Sequence, residues 1–115
     1  MDIKSVVRQL KIKTGVLKRC IKEYNYYADE KVTNQEKLEK LKNEEAEEGI
    51  IRRAEECVAE SEIMIPNCAG KVNAAIPELQ QLIEDNADNE ELAETEEWKE
   101  AVLVLDQGKQ FVETI

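Results

Sequence analysis

A chain of 115 residues with a formal net charge of −10, 37% charged and only 4% aromatic residues has room for one domain, and its charge opposes binding to nucleic acid or an anionic membrane. One Trp, one Phe and three Tyr give little with which to wall a roomy enzyme pocket. The dominant residues, Glu, Lys, Ala, Leu, Gln and Ile, are mostly strong helix formers that suit packed helices with aliphatic seams.

From Ile3 a three-four spacing runs through Val7, Leu10, Thr14, Leu17, Ile21, Tyr24, Ala28, Lys31, Gln35 and Leu38, and eight of these eleven positions are apolar. That pattern predicts one amphipathic helix over residues 2–43, roughly 60 Å long at 1.5 Å per residue. Asn43 to Gly49 is charged, lacks a seam residue and ends in Gly, so a turn is expected there.

The seam resumes with Ile50, Ala54, Cys57, Ser61, Met64, Cys68, Val72, Ala75, Leu79 and Leu82. It predicts a second helix over residues 49–84. Pro66 interrupts its rhythm and is expected to kink it, and Pro77 to weaken or break it.

Glu84 to Asn89 forms the next expected turn, with Asn89 as N-cap and Glu90 and Glu91 beside the helix dipole. A third helix is predicted over residues 89–111, with Trp98, Ala101, Val102, Leu105 and Val112 inward. Val104 and Phe111 suggest a seam tilted toward their side. The fold class expected is an elongated all-α, antiparallel three-helix bundle in up-down-up order, one domain over 1–115.

Chemistry is sparse. There is no His, Ser occurs only as Ser5 and Ser61, and no Gly-rich phosphate loop is present, so the usual nucleophile–base pairs cannot be assembled. Cys20, Cys57 and Cys68 are odd in number with no C-x-x-C spacing, which suits reduced thiols better than a metal site. The start Met1, Asp2, Ile3, Lys4 is polar, and no apolar run is long enough to span a bilayer. The expectation is a cytoplasmic non-enzyme without metal, cofactor or membrane contact, which acts by binding another protein.

Three blocks, RQLKIKTGVLKRCIKE (Arg8 to Glu23), AESEIMIPNC (Ala59 to Cys68) and EEWKEAVLVLD (Glu96 to Asp106), resemble in order and spacing the tubulin-binding cofactor A family. The chain departs from that pattern at Pro77 and in its extended end, Gln107 to Ile115. The resemblance implies a cytosolic, cytoskeleton-associated three-helix bundle. Such a protein would capture β-tubulin after chaperonin release and hold it near-native, without ATP, until later cofactors assemble the αβ dimer. A monomer is expected, with a homodimer as the alternative.

Residues 1–22 carry seven Lys or Arg against Asp2, a net of +6, which leaves −16 for the remainder. The acidic start of the third helix (Glu90, Glu91, Glu94, Glu96, Glu97, Glu100) is expected beside these cations and to balance much of their charge. On a helical wheel, Lys4, Arg8, Lys11, Ile12, Gly15, Arg19, Lys22 and Tyr26 lie opposite the seam. Arg8, Lys11, Ile12, Arg19, Lys22 and Tyr26 are the candidate partner-binding residues, because Arg and aromatic side chains are favoured anchors. Tubulin, the partner the resemblance implies, is strongly acidic, and a basic strip would steer it. The acidic faces of the other two helices are the alternative surface. A structural coiled-coil or spectrin-like module without a folding role fits the periodicity equally well, and nucleic-acid binding would rest on residues 1–22 alone.

Overall fold

The computed structural model describes residues 2–115, and the described residues are all-helical, without a strand. Four helices follow one another: α1 (Ile3–Asn43), α2 (Glu48–Asp85), α3 (Glu90–Ala93) and α4 (Glu96–Thr114). Asp2 caps α1, accepting the Ser5 N–H on Oδ1 at 2.8 Å. That N–H, with the Ser5 hydroxyl, holds the Asp2 carboxyl below its ordinary value.

The chain divides into two compact units, the described part of Met1–Ile21 together with Ala69–Ile115, and Lys22–Cys68. The first holds a continuous apolar core. Val6, Leu10 and Leu17 come from α1; Val72, Ala75, Leu79 and Leu82 from α2; Leu92 from α3; Ala101, Val104 and Leu105 from α4. Burial of this aliphatic set at helical spacing is the main stabilising term for the unit. Gly108 lets α4 come close: a Cβ there would stand 3.0 Å from Leu17 Cδ2 and 3.5 Å from Ile76 Cγ1.

The second unit is the C-terminal part of α1 and the N-terminal part of α2, joined by Glu44–Glu47. The joint closes α1 as a Schellman motif, with Ala46 N–H on Leu41 O at 3.0 Å and Glu45 N–H on Lys42 O at 3.1 Å. The left-handed residue that this motif needs is Glu45, at φ 56°. Gly49, expected in the turn, lies inside the first turn of α2. Ser61, 3% exposed, is held by polar contacts: Asn34 Nδ2 donates to Ser61 Oγ at 3.1 Å, and Ser61 Oγ donates to Cys57 O at 3.2 Å. Ile50, placed on the seam by its spacing, is 49% exposed.

α2 runs through Pro66 and Pro77 without a break, so the break weighed at Pro77 does not occur. Each proline lacks the N–H that would meet the carbonyl four residues earlier. Both lie on the exposed side of the helix, where water can satisfy that carbonyl.

The single third helix expected over residues 89–111 is two helices. Thr95 separates them in an extended conformation (φ −73°, ψ 151°) and caps α4. Its Oγ1 accepts the Trp98 N–H at 3.2 Å and donates to Leu92 O at 2.7 Å, closing one helix while opening the next. Asn89 caps α3 in the same way through Leu92 N–H at 3.1 Å. Thr95→Ala removes both bonds and is expected to destabilise the protein by about 1–2 kcal/mol. Thr95→Ser should retain most of that, and equal thermal unfolding midpoints for the two variants would contradict the capping role. On α4 the seam includes Val104 (3% exposed) and excludes Val102 (43%), which corrects the inward placement of Val102.

Candidate partner-binding surface

α1 presents its cations outward because its apolar positions, three or four apart, claim the opposite side. In the first unit Arg8, Lys11 and Arg19 are exposed and Ile12 is 58% exposed. In the second, Lys22 is exposed and Tyr26 is 61% exposed, its ring edge-on to Tyr27 at 5.1 Å between centroids. Every candidate residue is therefore accessible to a partner.

Acidic residues neutralise the basic segment only in part. Lys18 Nζ meets Glu100 Oε1 at 2.8 Å, and Lys13 Nζ lies 3.9 Å from Glu78 Oε2. Arg8, Lys11 and Arg19 take part in no ion pair among the described residues. The expected balancing by the start of α4 reaches Lys18 and leaves those three cations available. Both pairs are open to solvent on at least one side, so each stabilises the fold by only ~0–1 kcal/mol.

Beside this face, within the first unit, Lys11, Thr14, Gly15, Lys18, Glu96, Glu97 and Glu100 line an open cleft of about 370 Å³. Thr14 is 4% exposed, and its hydroxyl finds no hydrogen-bond partner among the described residues. Gly15 leaves open space where a side chain would stand, with nothing within 4 Å of an added Cβ. Gly inside a helix costs about 0.5–1 kcal/mol relative to Ala, and no contact among the described residues requires it at that position.

A second groove, also about 370 Å³, lies within the other unit between Tyr27, Glu30, Asn34, Cys57, Glu60, Ser61, Ile63 and Met64. Periodicity did not single it out. Ile63, 63% exposed at its rim, was legible as an apolar residue off the seam. No cysteine among the described residues is in a disulfide; Cys68 is buried and Cys20 and Cys57 are half-buried. No helix among the described residues is long and apolar enough to cross a membrane.

Fold and surface together define an all-helical protein with an outward basic helix face that also carries apolar side chains. The family model of tubulin binding cofactor A matches residues 5–105. The tubulin-specific chaperone A of Bos taurus is 48% identical over 103 residues, covering 90% of this chain and 93% of the relative. The solved human tubulin chaperone cofactor A is 43% identical with a TM-score of 0.71, covering 90% of this chain and 98% of that one. Tubulin folding cofactor A of Arabidopsis thaliana, 26% identical, has a TM-score of 0.79 over 93% of this chain and 98% of its own. The chain belongs to the tubulin binding cofactor A family, a family of chaperones and cofactors.

Proposed function

We propose that this protein is a cytoplasmic tubulin folding cofactor that binds β-tubulin and holds it near-native before αβ assembly. Family membership over residues 5–105 carries the reading. The exposed cations Arg8, Lys11 and Arg19, with Ile12 among them, support a role in docking, as do Lys22 and Tyr26 further along α1. Unpaired cations speed the encounter with an acidic partner and select against basic ones. Exposed apolar side chains then lose water on contact and slow dissociation. The absence of a phosphate-binding Gly-rich loop and of His in the sequence favours a stoichiometric hold, one chain per tubulin subunit, without ATP.

Size-exclusion chromatography with β-tubulin newly released from chaperonin, and α-tubulin in parallel, tests this reading. Co-elution with β- and not α-tubulin is expected, at the mass of a one-to-one complex. A folded chain that retains neither subunit would sink it. In the same assay Ile12→Asp combined with Arg19→Glu should weaken binding about tenfold or more. Both side chains are exposed, so helicity should persist, and undiminished binding would remove this face from the interface.

A further inference from the structure

We infer that Gly15 is the point of closest approach to the partner, where an acidic polypeptide segment of the bound tubulin subunit seats its backbone against α1. The inference rests on the tubulin-binding reading above and specifies its contact. Its starting point is a contrast between two helix-interior glycines of the first unit. Gly108 has an internal cause, since a Cβ there would press on Leu17 Cδ2 at 3.0 Å. Gly15 has none, because an added Cβ meets nothing within 4 Å. Helix stability disfavours glycine at such a place, and the space it leaves open faces outward into the cleft lined by Lys11, Thr14, Lys18 and the α4 carboxylates.

The surroundings of Gly15 indicate what enters. At about 100° per residue, Arg8, Lys11, Ile12, Lys18 and Arg19 all fall within about 60° of Gly15 around the helix. Arg8, Lys11 and Arg19 are exposed and in no ion pair among the described residues. Ile12, 58% exposed, provides an apolar contact one turn away. A bare backbone with three unpaired cations along its own helix face, and with Glu96, Glu97 and the paired Lys18 and Glu100 on its α4 side, fits a chain that brings carboxylates to the cations and must come down close to use them. Backbone at Gly15 carries no side chain to be displaced, so a segment can settle with its carboxylates at hydrogen-bonding distance from the flanking guanidinium and ammonium groups.

Gly70 on α2 supplies the control. It too has nothing within 4 Å of an added Cβ, but its neighbours one turn away, Pro66, Asn67, Asn73 and Ala74, carry no charge. Wild type, Gly15→Leu and Gly70→Leu are titrated against chaperonin-released β-tubulin at low and at physiological salt. Both variants should stay helical, with melting midpoints equal to wild type or raised by about 2–5 °C from the gain in helix propensity. Gly15→Leu should weaken binding about tenfold or more, and Gly70→Leu by less than about twofold. Should Gly15→Leu fail to fold, Gly15→Ala is measured instead, with about threefold weaker binding and a raised midpoint expected. Wild-type affinity in the Gly15 variant, or equal loss in both variants, overturns the inference and leaves the holding function standing. Affinity insensitive to salt removes the acidic partner segment. Wild type that binds no β-tubulin overturns both.

Discussion

Leu17→Ala is expected to lower the unfolding free energy by about 3–4 kcal/mol, in the middle of the range for truncating a buried leucine. Leu17 is 0% exposed and belongs to the core shared by all four helices. Its two Cδ atoms would lie 3.0 and 3.4 Å from a Cβ on Gly108, so the chain here is packed against bare backbone. Backbone on α4 cannot move inward to fill the vacated space without shifting the whole helix, which leaves most of the cavity term in place. Urea denaturation, read as a shift in midpoint at unchanged slope, measures the loss. A loss below about 1 kcal/mol would show that the core collapses freely around position 17.

The reverse substitution tests the same contact from the other side. Gly108→Leu is expected to destabilise by about 2–3 kcal/mol, because the added chain must displace Leu17 and Ile76 in a close-packed interior. Gly108→Ala should be nearly neutral. Its methyl needs Leu17 to yield by a few tenths of an ångström, and the gain of about 1 kcal/mol in helix propensity offsets that strain. Combining Gly108→Leu with Leu17→Ala should recover part of the sum of the two losses, since the new leucine occupies the volume the old one leaves. Strict additivity in denaturation would mean that the two positions do not share a cavity.

These core effects bear on function through rigidity. Cations on α1 can act together only if that helix keeps its rotation, and Leu10 and Leu17 fix it by facing the core while Ile12 and Arg19 face water. With the docking role proposed for this face, substitutions at position 17 should also blur partner binding, whereas those at Ile12 or Arg19 should alter binding and spare stability.

What the sequence determined by itself is the direction that the N-terminal half of α1 and the C-terminal half of α2 face. A three-four spacing of aliphatic residues is a property of the chain, and Leu10, Thr14 and Leu17, then Cys68, Val72, Ala75, Leu79 and Leu82, are buried where that spacing puts them. Exposure of Arg8, Lys11, Ile12 and Arg19 follows from the same geometry. The cap at Asn89 was legible as well. Thr95-Glu96-Glu97-Trp98 repeats the pattern of Asn89-Glu90-Glu91-Leu92 and marked a second cap, which the expectation of one helix over 89–111 passed over.

Tertiary structure decided what periodicity leaves degenerate. In the run Val102, Leu103, Val104, Leu105 any adjacent set can serve as a seam, and packing against the other helices chose Val104 and Leu105 over Val102. Ile50 satisfies the seam spacing yet lies 49% exposed, because burial needs an opposing surface as well as a repeat. Charge pairing depends on neighbours remote in the chain. Lys18 meets a carboxylate 82 residues away, while Arg8, Lys11 and Arg19 on the same helix meet none among the described residues. Local sequence sets which way a side chain points, and only the folded chain brings to that side the group that will bury it, pair it or leave it open.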